Sequence, residues 1–163
     1  MLTADHRLKI VLVEPEIPQN AGNVARLCAA TGAELHLVRP LGFFLTDKHF
    51  KRAGMDYLKE VTMTVHDDLP ALMKLIDKDP IVLTSGLPQF TGRAHWGVKF
   101  APTTWIFFGK ESAGLPTDFL ERFWISNRDS LVQIPMAKGT RGLNLSTSAG
   151  IILYEALRQL HTN

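Results

Sequence analysis

The sequence predicts an α/β protein with a mostly parallel sheet and helices on both of its faces. Short apolar runs that are rich in β-branched residues alternate with helical segments along the chain. The connections between these elements are short, and most of the unusual polar residues and glycines follow the strands. Strands and helices that alternate in this way form parallel sheets, because each helix returns the chain to the same edge.

The N-terminal elements follow from apolar runs and the residues that end them. Residues 8–13 form an apolar strand that a Glu-Pro pair closes. Asn20 is expected to cap the helix that follows, and Gly32 lies where that helix should end. Residues 34–38 then predict a second strand, which a proline ends.

The middle of the chain continues the alternation. Residues 47–52 indicate a short basic helix or turn, and residues 61–65 alternate like a strand. Residues 68–77 place their apolar side chains on one helical face. Residues 81–83 predict a short buried strand, and residues 88–99 predict a polar loop.

The C-terminal part adds two strands and two helices. Residues 103–108 and 131–134 are apolar runs that predict strands, ended by a glycine and a proline. Residues 117–123 predict a short helix, and residues 143–160 predict the longest one. The sequence shows neither an internal repeat nor a linker, so residues 1–163 are expected to form a single domain.

Composition excludes several classes of protein. The chain is 45% hydrophobic and 21% charged, which is typical of a globular protein, and its net charge of +2 neither demands nor excludes nucleic acid. The lone cysteine, Cys28, lies in an apolar helical run and is expected in the core. The sequence has no apolar run long enough to cross a membrane, and its first residues lack a signal core. We therefore expect a soluble, cytoplasmic protein.

The polar loops are expected to meet at one edge of the sheet. They comprise residues 14–23, 84–86, 109–116 and 135–144. Ligands of open α/β sheets bind beyond the carboxyl ends of the strands, where such loops meet. The sequence lacks the glycine motifs of dinucleotide and P-loop sites, the serine elbow of hydrolases and any metal-ligand spacing. No metal is therefore expected.

One of these loops favours a small polar ligand. Gly139 and Gly142 let the backbone approach a ligand closely, and the N–H groups of a new helix lie beside them. Arg26 lies three residues after Asn23 in the first helix, so the two side chains are neighbours. From these residues alone, a helix cap and a solvated arginine are the favoured interpretation.

Three segments, in order, resemble the motifs of one enzyme family. They are residues 18–26 (PQNAGNVAR), residues 108–116 (FGKESAGLP) and residues 134–146 (IPMAKGTRGLNLS), the last followed by Tyr-Glu-Ala at 154–156. Together they resemble the SPOUT class of RNA methyltransferases of the SpoU type. The resemblance spans nearly the whole chain and is strongest to the short, single-domain enzymes that methylate the ribose of the wobble nucleotide, position 34, in certain leucine tRNAs.

The resemblance implies a fold and partners that the residues alone do not. It implies a C-terminal trefoil knot, which the general rule against knotted chains would have excluded. It also implies a homodimer in which the partner chain completes each site. The substrate would be the anticodon stem-loop of tRNA, and the cofactor would be S-adenosyl-L-methionine.

Matching positions in the motifs imply the site residues. Those expected at the cofactor are Leu83, Thr84, Gly109, Glu111, Ile134, Met136, Gly142, Leu143 and Asn144. Those expected in catalysis are Arg26, Asn20 and Ser146. The RNA-binding residues are not taken from the motifs: binding RNA would need a basic surface, and the residues expected to form it are Lys48, Lys51, Arg52, Lys138 and Arg141, with the densest basic cluster at 47–52. Many relatives carry serine at the position of Gly142, so a hydroxyl cannot act there in this chain, although the backbone N–H remains.

Three other functions stay open at this point, of which one, a flavodoxin-like ligand carrier, explains none of the three motifs. The same chemistry could act on another nucleotide of tRNA or on ribosomal RNA. The chain could also be a non-catalytic RNA-binding module that uses the same basic loops. The sequence does not decide which tRNA is the substrate, or which group accepts the proton of the ribose hydroxyl.

Overall fold

The computed structural model describes residues 6–140 and 142–161. Their strands are β1 (Lys9–Val13), β2 (Glu34–Val38), β3 (Met63–His66), β4 (Ile81–Thr84), β5 (Arg93–Ala94), β6 (Trp105–Phe108) and β7 (Leu131–Gln133). Their α-helices are α1 (Pro18–Thr31), α2 (Lys48–Gly54), α3 (Leu69–Met73), α4 (Thr117–Ser126) and α5 (Leu145–His161). Short 3₁₀ turns cover Met55–Lys59, His95–Gly97 and Arg128–Ser130.

The strands of the described chain form one parallel sheet in the order β3-β2-β1-β6-β4-β7-β5. Strand β1 lies in the middle and pairs with β2 on one side and β6 on the other, so that Leu12 is level with both Leu37 and Phe108. All five residues of β1 and all four of β6 are buried. The predicted α/β class and the parallel sheet are therefore confirmed.

Helices cover both faces, because successive side chains of a strand point to opposite sides. Ile10 and Leu12 pack in one hydrophobic cluster with residues of α1, α2 and α5. Val11 and Val13 pack in a second cluster with residues of α3 and α4. Cys28 is fully buried in the first cluster, as predicted, and burial raises the pKa of its thiol above its ordinary value.

Some predicted boundaries were wrong, for local physical reasons. Helix α1 begins at Pro18, which suits a first helical turn because proline needs no N–H partner there, so Asn20 is not its cap. Asp68 caps α3 by accepting the N–H of Ala71 at 2.7 Å, but that helix already ends at Met73. The predicted loop at 88–99 contains β5, which pairs with β7 at the edge of the sheet.

Helices α1 and α2 cross closely at Gly22. A Cβ atom at this position would lie 2.6 Å from both the carbonyl oxygen of Phe50 and the Cβ of Ala53. A glycine is therefore needed for the backbones to approach to this distance. The crossing fixes the position of the segment that follows α2 relative to α1.

A pair of histidines lies among the apolar side chains of the second face. His36 Nδ1 and His66 Nε2 are 2.9 Å apart and share a hydrogen bond, and the ring of Trp105 packs against His36 at a centroid distance of 4.7 Å. Burial, assisted by His66 and Lys9, lowers the pKa of His36 to about 4. Burial also lowers the pKa of His66. Both rings are therefore neutral at physiological pH.

These histidines predict a loss of stability in mild acid. The pKa of His36 is 6.5 when the ring is exposed and about 4 in the folded protein. Between pH 6.5 and 4, the imidazole is therefore protonated in the unfolded chain and neutral in the folded chain. The free energy of unfolding should fall as pH drops below 6.5, by about 2–3 kcal/mol at pH 4. Urea denaturation at a series of pH values measures this change. In His36→Gln, which keeps a partner for His66, the free energy of unfolding should fall less steeply between pH 6.5 and 5, although His66 and His6, whose pKa values are also lowered, still contribute. An unchanged slope would contradict this assignment.

Candidate active site

A cleft of about 480 Å³ opens at the carboxyl ends of β4, β6 and β7. Its lining comes from the loops that follow these strands, where the sequence concentrates its polar residues and glycines, from the start of α1 and from α5. The described residues that line it are Ile17, Asn20, Thr84–Leu87, Phe108–Gly114, Val132, Ile134, Met136, Gly142–Leu145, Ser148 and Ile152. The predicted convergence of the loops on one edge of the sheet is confirmed.

A chain of hydrogen bonds joins three of these segments through Glu111, Asn20 and Asn144. The Nδ2 of Asn20 donates to Oε1 of Glu111 at 2.9 Å, and the Nδ2 of Asn144 donates to Oδ1 of Asn20 at 2.8 Å. Asn20 is buried and its amide uses both its donor and its acceptor. Because a buried amide is costly without such partners, these bonds hold the loops after β6 and β7 to the start of α1.

Glu111 and Asn144, the two ends of this series of hydrogen bonds, also accept hydrogen bonds from backbone N–H groups near the start of a helix. Glu111 accepts the N–H groups of Glu16 and Ile17 at 2.8 and 3.3 Å, just before α1 begins. Asn144 Oδ1 accepts the N–H groups of Ser146 and Thr147 at 2.9 and 3.3 Å in the first turn of α5. The N–H groups of Glu16 and Ile17 precede the first turn of α1, so Glu111 fixes the chain that enters this helix, whereas Asn144 caps α5.

A second set of contacts returns from the β1–α1 loop to the loop after β6. Glu16 accepts the N–H and the hydroxyl of Ser112, each at 2.8 Å, and these bonds lower the pKa of the Glu16 carboxyl. Lys110 Nζ lies 3.0 Å from Oε2 of Glu14, and this carboxylate raises the pKa of Lys110. The two loops therefore exchange hydrogen bonds in both directions.

Gly109 lies where these two loops meet the end of β6. A Cβ atom built here would lie 1.9 Å from the backbone of both Gly114 and Leu115. The chain folds back on itself at this point, with a bridge between Lys110 and Gly114. A glycine is therefore required by the close approach of two backbone segments.

The cleft contains most of the residues expected at a cofactor. Thr84, Gly109, Glu111, Ile134, Met136, Gly142, Leu143 and Asn144 all line it. Leu83 does not line it: its side chain is fully buried with Phe107 in the core beneath. Side chains alternate along a strand, so Leu83 and Thr84 point to opposite faces, and Thr84 at the end of β4 is the one that faces the cleft.

The three residues expected in catalysis take different positions. Asn20 lines the cleft, whereas the described lining includes neither Ser146 nor Arg26. The hydroxyl of Ser146 donates to Oδ1 of Asn144 at 2.7 Å and so supports that amide. Arg26 is exposed on α1, with its guanidinium carbon 5.3 Å from the ring centroid of Tyr57.

The residues expected to bind RNA are on the surface, as far as the structure describes them. Lys48, Lys51 and Arg52 are exposed on α2, and Lys138 is exposed in the loop after β7. Arg141 lies outside the described residues. Helix α2 packs against α1, the helix that carries Arg26. The basic side chains of α2 therefore lie on the helix next to Arg26.

Sequence reasoning missed several residues of the site. It did not select Ile17, Ser148 or Ile152, which line the cleft, or Glu16 and Lys110, which tie its loops together. Two carboxylates within the short stretch before α1 were a signal for Glu14 and Glu16, since closely spaced acids need partners. The signal did not indicate which residues those partners would be.

Among the described residues, no three His, Cys, Asp or Glu side chains are grouped so that they could hold a metal ion. Nor does any described helix combine the length and the apolar character that a membrane crossing requires.

Comparison with known proteins identifies close relatives. Residues 7–154 match the model of the SpoU rRNA methylase family. A Burkholderia ambifaria protein named tRNA (cytidine(34)-2′-O)-methyltransferase is 46% identical over 92% of this chain and 94% of its own length. The Escherichia coli protein of the same name is 39% identical over 94% of each chain.

Solved structures agree with these relatives. A structure described as giving insight into the 2-OH methylation of C/U34 on tRNA has a TM-score of 0.87 and 41% identity, over 97% of this chain and 99% of its own. The methyltransferase AviRb from Streptomyces viridochromogenes, in complex with the cofactor AdoMet, has a TM-score of 0.80 and 26% identity. It is matched over 97% of this chain and 59% of its own.

The close approach at Gly109 predicts the effect of one added methyl group. Gly109→Ala should lower the free energy of unfolding by about 1–3 kcal/mol, because the new Cβ would collide with backbone that cannot move aside. Gly86→Ala is the matched control, since it lies in the same cleft and a Cβ there meets no described atom within 4 Å. Denaturant unfolding measures both variants, and equal stabilities would contradict this interpretation.

Proposed function

The chain belongs to the SpoU rRNA methylase family, and on this basis we propose that it transfers a methyl group from S-adenosyl-L-methionine to the ribose 2′-hydroxyl of nucleotide 34, the wobble nucleotide of tRNA. The observation that carries the proposal is the cleft in which two loops and the start of α1 are joined through Glu111, Asn20 and Asn144. The names of relatives with 39–46% identity over nearly the whole chain support the choice of substrate.

The cleft fits the proposed cofactor in size and in chemistry. Its volume of about 480 Å³ lies within the ordinary range for cofactor sites. Ile134, Leu143 and Met136 offer apolar surface for an adenine, and the backbone at Gly109 and Gly142 can approach the ligand closely. The AdoMet complex of a relative with a TM-score of 0.80 supports this assignment.

Arg26 is proposed to bind the target nucleotide. The bound cofactor would supply an electrophilic methyl group on a sulfonium, so the protein has to orient the ribose hydroxyl and help it lose its proton. A guanidinium is a poor base, because it keeps its proton at any physiological pH. Arg26 would therefore bind the adjacent phosphate and stabilise the charge that develops on the hydroxyl oxygen, while another group or water takes the proton.

Asn20 and Ser146 are proposed to act through Asn144. Each makes a hydrogen bond to its amide, Asn20 at 2.8 Å and Ser146 at 2.7 Å, so together they fix its orientation at the rim of the cleft. Asn144 itself lines the cleft and is exposed there, where it can reach a ribose or a backbone group of a ligand.

We also propose that the protein acts as a homodimer. Arg26 is exposed on α1, outside the described lining of the cleft in its own chain. A second copy that brought its own Arg26 to this cleft would complete the site. Residues 1–163 are proposed to act as one methyltransferase domain in the cytoplasm, with leucine tRNAs as substrates through their anticodon stem-loop.

A trefoil knot is proposed for the C-terminal part. Strand β7 lies between β4 and β5, both of which precede it in the chain, and α5 then packs against α1. The last strand of the sequence is therefore inserted between two strands that come earlier in the sequence. This arrangement supports the proposal that the segment leading to α5 passes through an earlier loop.

Methyl transfer with labelled cofactor tests the proposed function. Purified protein should methylate an unmodified leucine tRNA transcript, and mass spectrometry should place the 2′-O-methyl group on nucleotide 34. Arg26→Ala should reduce the rate by about 100-fold, as expected for a group that stabilises transition-state charge. Arg122→Ala, an exposed arginine on α4, is the matched control and should remain active.

Three results of this experiment would overturn the proposal. Methyl groups found solely at another nucleotide, or solely in ribosomal RNA, would show a different substrate. Binding of tRNA without any transfer would favour a non-catalytic RNA-binding module. Near wild-type turnover by Arg26→Ala would remove the role proposed for this residue.

The basic surface of α2 predicts a steep dependence of tRNA binding on salt. Each phosphate contact adds about 0.7–0.9 to the slope of log K against log salt concentration. Replacing both Lys51 and Arg52 by alanine should therefore make the fall of log K with log salt concentration shallower, with a slope smaller in magnitude by about 1.5. The control replaces the exposed Lys74 and Lys78, beyond the end of α3, and should leave the slope unchanged. Equal slopes for all three proteins would show that α2 does not bind RNA.

A further inference from the structure

The Arg26 side chain is held by two residues that follow α2. Its guanidinium carbon lies 5.3 Å from the ring centroid of Tyr57, and its Nη1 is 3.5 Å from the sulfur of Met55. A cation over an aromatic face is attracted to the electrons of the ring. An exposed arginine that would otherwise sample many rotamers therefore has contacts that restrict its position.

The backbone brings these three residues together. Gly22 allows α1 to approach Phe50 and Ala53 of α2 closely. Arg26 lies one helical turn beyond Gly22, and Met55 directly follows the end of α2. The close crossing therefore places the Arg26 side chain against the 3₁₀ turn that contains Tyr57.

Met55 is the C-cap residue that ends α2, and its backbone N–H donates to the carbonyl oxygen of Lys51. Its φ is +51°, in the left-handed region that favours glycine, and its side chain is 55% exposed. Strained backbone of this kind is concentrated at functional sites. Here the residue that ends α2 also contributes the sulfur that contacts Arg26, while about half of its surface stays exposed.

Part of the guanidinium edge remains open for an anion, because the Met55 sulfur contacts Nη1 alone. A cation–π contact uses the face of the group, whereas its N–H donors lie along its edges. None of the ion pairs between described residues involves Arg26. Lys51 and Arg52 are exposed on the neighbouring helix and add positive charge.

We propose that Tyr57, assisted by Met55, is a positioning residue that holds the Arg26 guanidinium in place for the phosphate beside the target ribose. The inference rests on the proposed function, since it assigns a purpose to the restraint on Arg26. Tyr57 does not touch the reacting atoms. Its ring restricts the position of the guanidinium, so that the free N–H groups can bind the phosphate oxygens.

A double-mutant cycle tests this proposal. The variants are Tyr57→Leu, Arg26→Ala and the two combined, with Tyr57→Phe as the conservative control that keeps the aromatic face. Single-turnover methyl transfer and the affinity for an anticodon stem-loop RNA are measured for each, together with the affinity for S-adenosylhomocysteine. Thermal unfolding shows that each variant is folded.

Tyr57→Leu should lower the RNA affinity or the transfer rate about fivefold, the upper end for an exposed cation–π contact. Tyr57→Phe should stay within about twofold of the wild type, and S-adenosylhomocysteine should bind all variants equally. In the Arg26→Ala background, Tyr57→Leu should cost nothing further, because the residue acts through Arg26.

Two results would overturn the proposal. One is an undiminished effect of Tyr57→Leu in the Arg26→Ala background, and the other is wild-type behaviour of Tyr57→Leu in both assays. These results differ from a failure of the proposed function, in which the wild-type protein itself would not methylate tRNA. The RNA affinities would still decide whether Tyr57 acts through Arg26.

Discussion

The hydrogen-bond chain from Glu111 through Asn20 to Asn144 is the interaction on which the site depends. It joins residues that are 91 and 124 positions apart in the sequence. Its two ends have a second task, since Glu111 also binds backbone N–H groups just before α1 and Asn144 binds those in the first turn of α5. Loss of one member would therefore leave several polar groups without partners.

The parallel sheet makes this arrangement possible. The strands β1, β4, β6 and β7 all end at the same edge, so the loops that follow them meet although they are distant in the chain. The buried central strands provide a rigid base, while the ligand-binding groups belong to loops. The reciprocal contacts of Glu16 with Ser112 and of Glu111 with the start of α1 then fix these loops relative to each other.

The fold class and the location of the site could be predicted from patterns in the sequence, but the partners of individual side chains could not. Asn20 was expected to be a helix cap, because a local pattern cannot reveal partners 91 and 124 residues away. Leu83 was assigned to the cofactor site, although in β4 it is Thr84 that faces the cleft. The contact between Arg26 and the ring of Tyr57 depends on the crossing of α1 and α2. No motif around Tyr57 indicates this contact in the sequence.

The position of the cofactor is the most direct test of this view of the molecule. A crystal structure of the protein with S-adenosylhomocysteine should show the adenine between Thr84, Gly109 and Ile134, with the bonds among Glu111, Asn20 and Asn144 intact. A cofactor bound elsewhere on the protein, or a cleft that stays empty at saturating concentration, would contradict it.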